Sequence, residues 1–236
     1  MIVSIHQPNF FPWLGYFHKL LRSDVFVLFD DVQIPMGKNF VTRVLIKGVN
    51  DVQYIHPQTL PAPADSLIMD IMMDKSEYWR KKLLKTIRFN YQSAACFKDI
   101  FPSLETLLMG EVPDRLSEFN AACIQWATGH LGGATRFVYS SEVLKGKEVA
   151  GAERIEALLL ELKAAKYISG KGKGSLRYIQ DAWFAEHHIE LEMEAFDHPV
   201  YKQGKGEFVS GLSVLDLLFH HGKDARSILL GENMHA

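Results

Sequence analysis

The stretch IVSIHQPNFFPWLGYF sets His6, Gln7 and Asn9 just behind a short apolar run and ahead of Phe10, Phe11 and Trp13. A second apolar run, Val25 to Phe29, ends in Asp30, Asp31 and Gln33. An imidazole near neutral pH serves as general base or acid, and a carboxylate orients a histidine or holds a substrate. In open α/β sheets, ligands bind beyond the carboxyl ends of the strands. If the two runs are neighbouring strands, His6 as base and Asp30 or Asp31 beside it share a rim with Gln7, Asn9 and Gln33 as substrate contacts. Phe10, Phe11 and Trp13 are then expected to wall the pocket, since small-molecule sites pair apolar walls with a few convergent polar groups. The adjacent carboxylates also suit Mg²⁺ held with waters and a substrate phosphate. Successive strand residues point to opposite sides, so one carboxylate is expected to face the site and the other to tie down a loop. The plainer alternative gives the polar groups to the loop and the aromatics to the core.

Other groups bear on the same chemistry. Asn39, Arg43 and Lys47 recur every four residues in KNFVTRVLIK, yet the apolar alternation there reads as strand or loop. Arg43 is expected to share a face with Val41 and Leu45, paired with a carboxylate or gripping a ligand carboxylate or phosphate in a bidentate fork. WRKKLLKTIRFNY puts Lys81, Lys85 and Arg88 on one helix face, either solvated or a funnel for an anion. KYISGKGKGSLRY combines a short strand, a glycine-rich turn and a helix start, the general geometry of an anion site. Ser169, Gly170 and Tyr178 are its candidate contacts, and its register fits neither G-x-x-x-x-G-K-[ST] nor G-x-G-x-x-G. Ser213 and Asp216 have capping-box-like spacing, with Leu212 and Leu217 at staple positions. His220 and His221 are adjacent, so one helix cannot aim both at one metal. No zinc signature or hydrolase elbow occurs, so neither chemistry is expected.

The elements that must position these residues alternate between strand and helix. Ile2–Ile5 and Val25–Phe29 read as buried strands around a helix at Trp13–Leu21, and continuous apolar strands favour a parallel sheet covered on both faces. Strands are expected at 41–47, 51–56, 136–139, 167–168 and 189–196. Helices are expected from Ser76, as cap, to about Tyr91, and at 114–131, 151–165, 175–187 and 213–221. Cys123 falls on the apolar spacing of the second of these and is expected in the core. The prolines of 57–66 mark a linker or loop. The expectation is an α/β chain, a Rossmann-like three-layer sheet, mostly parallel, in one domain over 1–236 with a helical insertion at about 70–132.

With 236 residues, 47% hydrophobic, 23% charged and a net charge of −2, the chain gives no general attraction for nucleic acid or anionic membrane. Neither a signal peptide nor a membrane span is read, and two cysteines form no disulfide framework. A cytoplasmic protein acting on a small molecule is expected.

The block IHQPNFFPWLGYFHKLLRSDVFVLFDDVQ, then Asn39, Arg43 and Lys47, then YWRKKLLKTIRFNY, YISGKGKGSLRYI, HPVYKQ and GEFVSGLSVLDLLFHHG, resembles the WbqC-like family over nearly the whole chain. The sequence departs from that pattern at Ile34-Pro35-Met36, where polar residues usually follow, and at DVQYIHPQ. The resemblance implies a bacterial protein of O-antigen or other surface-glycan synthesis, with acyl or aminoacyl (glycine) transfer to a nucleotide-linked sugar. An anionic nucleotide-sugar would then be the partner, its pyrophosphate held by Arg43, Lys47 and the 169–174 turn. The first block is also faintly similar to nucleotidylyltransferases and ATP-using ligases, Gly15 matching their helix-start glycine although H-x-G-H is absent. An ATP- or CTP-using enzyme, and a non-catalytic glycan-assembly protein, are the alternatives.

Overall fold

The computed structural model describes residues 1–37, 39–49, 51–176 and 179–232, with Lys173 and Gly174 described in backbone only. Strand β1 (Ile2–His6) leads through α1 (Leu14–Leu21) to β2 (Val25–Leu28). An antiparallel hairpin, β3 (Val44–Lys47) with β4 (Val52–Ile55), follows and stands apart from the main sheet. Then come α2 (Glu77–Tyr91), α3 (Phe97–Met109), α4 (Leu116–His130), β5 (Arg136–Tyr139), α5 (Ser140–Val143) and α6 (Gly151–Glu161). The last third holds β6 (Lys166–Ser169), α7 (Lys173–Leu176), α8 (Asp181–Glu186), β7 (Glu190–Met193), α9 (Val214–His221) and α10 (Ala225–Leu230).

The main sheet is parallel throughout, in the order β5-β2-β1-β6-β7. Counting only its own strands, that is 3-2-1-4-5, the doubly wound order of dinucleotide-binding folds. Strand alternation divides the apolar side chains between two cores. Phe26 and Leu28 face one with residues of α1, α2, α3, α4 and α9, while Val3, Ile5, Val25 and Val27 face the other with Ile155 and Leu158 of α6 and Phe184 of α8. The sheet is therefore the middle of three layers, as an α/β parallel sheet requires.

Several local expectations change. Helix α3 was not anticipated, because Pro102 inside it interrupts the helical signal. The 57–66 stretch is loop, one of the two expected readings: Asp74 N–H donates to Gln58 and Leu60 N–H to Met72, both carbonyl acceptors, which tie down its first half, while residues 60–65 stay exposed. Ser76 precedes α2, but its side chain makes no cap. Ser213 does cap α9, accepting from Leu215 N–H at 3.2 Å. Asp216 does not reach back to close the box, since Ser213 N–H donates to the Leu45 carbonyl instead. The expected 175–187 helix divides into α7 and α8, and Arg177 and Tyr178 lie outside the described residues. Cys123 is fully buried in the core.

Candidate functional site

The loop leaving β1 is stitched down by distant donors and acceptors. Tyr16 hydroxyl donates to the Gln7 carbonyl at 3.2 Å. Asn120, fully buried on α4, donates from one amide nitrogen to the Pro8 and Val41 carbonyls, each at 2.8 Å. Phe10 N–H donates to Phe40, Ser213 hydroxyl to the Phe11 carbonyl, and Val214 N–H to the Pro12 carbonyl. Phe11 has φ +37, a left-handed conformation costly for a non-glycine residue. That conformation turns the chain so that both phenylalanines enter the core.

Phe10 and Phe11 are each 0% exposed and pack edge-on with one another, Phe10 against Phe119 and Phe11 against Trp126. They wall no pocket. Trp13 lies over Gly15 against Phe196, also away from the cavity. A Cβ on Gly15 would sit 2.1 Å from that indole, so the glycine is explained by ring packing rather than by a phosphate. Asn9 is buried, which removes it from the rim as well.

What remains at the end of β1 is a cavity of about 640 Å³. Its polar lining is His6 at the end of β1 and Gln7 just beyond it, Gln33 from the loop after β2, and Tyr167 and Ser175 from β6 and beyond. Phe29, Val32, Ile34, Ile155 and Ile179 supply apolar wall. Strand order reverses between β1 and β6, so this is the crevice where doubly wound sheets hold ligands.

The imidazole of His6 is fixed and neutral. Its Nδ1 lies 3.2 Å from the Gln7 carbonyl. A carbonyl only accepts, so Nδ1 carries the proton and Nε2 keeps a lone pair. The ring meets Tyr16 edge-on at 4.8 Å. Burial, and secondly the Lys19 ammonium, push His6 down to about 3. Lys19 is itself 3% exposed, donates to the Ile5 carbonyl at 3.0 Å, and is lowered to about 8 by burial, with Glu194 opposing. Tyr167 is pushed up to about 12 by burial, so its phenol stays protonated.

Asp30 and Asp31 take other partners. Asp30 accepts from Ser140 hydroxyl at 3.0 Å, Ser141 N–H at 3.1 Å and Ser141 hydroxyl at 2.9 Å. Burial raises its carboxyl above the usual range. Asp31 accepts from Ser140 and pairs with Arg154 at 2.8 Å. Both carboxylates thus anchor the start of α5 and α6, and neither lines the cavity. Among the described residues, no three His, Cys, Asp or Glu side chains gather as a metal site. With their oxygens committed to serines and an arginine, this pair does not fit the expected Mg²⁺ site.

The remaining expected contacts scatter. Asn39 ties its own loop and borders a neighbouring groove rather than the cavity. Arg43 stacks over the Tyr54 ring at 4.7 Å, with one buried guanidinium nitrogen unpaired among the described residues. Lys47 donates from Nζ to the Glu207 carbonyl at 2.7 Å and from its backbone to Tyr91 hydroxyl. Tyr91 and Tyr201 both donate to Asp216 at 3.0 Å, and burial pushes that carboxyl up to about 6. Ser169 is buried with its hydroxyl on the Gly170 carbonyl, and neither residue lines the cavity. Lys81 pairs with Glu77 and Arg88 with Glu105 on an exposed surface. Sequence reasoning missed Lys19, Asn120 and Tyr167. Lys19 left a signal, since it shares the apolar face of α1 with Tyr16 and Leu20, where a lysine needs a buried partner.

Fold and site together define an α/β protein with a doubly wound parallel sheet and a cavity at its switch point. The chain belongs to the WbqC-like protein family, which it matches over residues 7–228. It is 31% identical over 231 residues to a Mycobacterium tuberculosis protein named "Uncharacterized protein Rv1507c", with 96% of each chain covered. No solved structure matches the chain. No described helix is long and apolar enough to cross a membrane.

Proposed function

We propose that the protein is a transferase that binds a nucleotide-linked amino sugar in the β1/β6 cavity and moves an acyl or aminoacyl group onto it. Membership of the WbqC-like family suggests work in glycan biosynthesis. The observation that carries the reading is His6, a neutral imidazole with a free Nε2 lone pair, lining the crevice that holds ligands in this strand order. Burial and the Lys19 ammonium make it a weak base, held to about 3. A diphosphate beside it raises its basicity, because nearby negative charge favours the protonated form. The acceptor nitrogen then attacks the acyl carbon, Nε2 takes its proton, and the bond from that carbon to the donor's leaving group breaks, the proton passing on to the departing group. Gln7 and Gln33 orient the substrate, and Asp30 and Asp31 keep the rim in place through α5 and α6. An ATP-using ligase would share the strand order; nucleoside triphosphate binding that requires Mg²⁺ distinguishes it in calorimetry.

The test is a thermal-shift panel of UDP-, GDP- and dTDP-linked sugars. At about 100 times Kd a bound ligand adds roughly 2.7 kcal/mol, about 5–10 °C for a chain of this size. Wild type and Asp31→Ala are expected to shift alike, each from its own baseline, and His6→Ala much less. Equal shifts in wild type and His6→Ala move the ligand away from this cavity. No shift with any member at millimolar concentration removes the nucleotide-sugar.

A further inference from the structure

A groove of about 420 Å³ adjoins the cavity, and the two share Ile34, Pro35 and Met36. Its other bank is the 59–64 segment, TLPAPA. Several of its described walls offer a polar ligand no free donor. Pro35, Pro61 and Pro63 have no N–H to donate. Those of Ile34 and Leu60 already donate to Ser66 and Met72. Asn39 borders the groove, but its amide nitrogen donates to the Pro35 carbonyl at 2.9 Å and the Gly37 carbonyl at 3.2 Å. Its oxygen accepts both the N–H and the hydroxyl of Thr42. Asn39 and Thr42 thus satisfy one another, which leaves the Thr59 hydroxyl as the remaining polar side-chain group of the lining. Hydrocarbon is left open: Met36 is 79% exposed on the shared bank and Leu60 50% exposed on the other.

Met36 and Leu60 thus stand open on facing banks of a groove continuous with the cavity. We propose that this groove takes the saturated chain of an acyl donor whose reactive end crosses the Ile34–Met36 strap toward His6 and Gln7. The inference rests on reading the first cavity as the acceptor site, and it selects a fatty acyl group over a glycyl one, which has no chain to fill the groove. In the transfer, the bond from acyl carbon to the donor's leaving group breaks as the bond to the acceptor nitrogen forms. The acceptor's proton passes to His6 Nε2 and then to the departing group. The strap suits a fixed partition, because Gly37 at φ +71 makes a left-handed turn and Asn39 ties both carbonyls beside it.

Isothermal titration of the full chain with sodium decanoate, below its micelle-forming concentration, tests this. Wild type and Val200→Asp, a change at an exposed apolar position outside the groove, are expected to bind with equal affinity, and Leu60→Asp and Ala62→Trp at least tenfold more weakly. Both of those substitutions are at exposed positions, and circular dichroism verifies their fold. Equal affinity in all four proteins, or no heat from wild type, overturns the proposal. Run beside the nucleotide-sugar panel, the two readings separate. A nucleotide-sugar shift without decanoate heat overturns the groove alone. Decanoate heat lost in Leu60→Asp, without any nucleotide-sugar shift, supports the groove and overturns the acceptor site.

Discussion

His6 carries a cost that pH exposes. Its folded pKa of about 3 lies below the ordinary 6.5, so above pH 6.5 both states are neutral and the group contributes nothing. As pH falls through 6.5 the unfolded chain takes the proton and the folded chain does not, so stability drops, by about 3 kcal/mol at pH 4.5. His220, lowered to about 4 by burial, acts in the same direction. Asp216 acts oppositely: raised to about 6, it binds a proton first in the folded state as pH falls, and adds stability. Urea unfolding of wild type and His6→Gln at pH 7.5 and 4.5 isolates the first contribution. The variant is expected to lose about 2–3 kcal/mol less on acidification, and parallel losses would refute an imidazole held neutral in the folded state. Lys19→Met removes a cation beside the ring, so the His6 titration followed by NMR moves upward; an unchanged midpoint would separate the two residues. At this scale the sequence marked His6, Gln7 and Gln33, all of which line the cavity. It misassigned Phe10 and Phe11, because only a left-handed Phe11 turns both into the core, and no residue type announces that conformation. Lys19 was overlooked because lysines are ordinarily surface residues.

At the scale of elements, the loop after β1 is rigid through borrowed hydrogen bonds. Asn120 alone serves two carbonyls from α4. Asn120→Ala leaves Pro8 and Val41 acceptors buried without a donor, and an unmet buried group costs about 1–3 kcal/mol. A loss of at least about 2 kcal/mol in chemical denaturation is expected, and a loss under 0.5 would show that the loop holds itself. Asp30→Ala likewise frees Ser140 and Ser141 at the start of α5 and is expected to cost about 1–3 kcal/mol. The β1-α1-β2 unit was legible because its apolar runs are continuous and closely spaced. Helix α3 was not, since Pro102 masks it, nor was the tie between 58–60 and 72–74, since proline density reads alike in a free linker and in an anchored loop.

Across the whole molecule, the parallel α/β character followed from the alternation of elements. The separate β3–β4 hairpin did not, because strand signals carry no statement of which sheet receives them. Nor did the reversal of strand order between β1 and β6, which sets the cavity, because it depends on a pairing between segments far apart in sequence. The cavity joins Ile5 to Met36 with Ile155 to Ile179, so its assembly is a tertiary fact.

That pairing also sets an order of events. Strand β1 meets β2 after one helix, but the Ser4 hydroxyl reaches the Ile168 carbonyl across 164 positions. Closing so long a loop is slow, since its entropy is lost before the contact is made. During synthesis from the N-terminus, β1 therefore waits with the N–H and C=O groups of one edge unpaired until β6 has been made. An open strand edge is a template for other chains. The arrangement that creates the ligand crevice thus makes the nascent chain most prone to aggregate in the interval before β6 arrives.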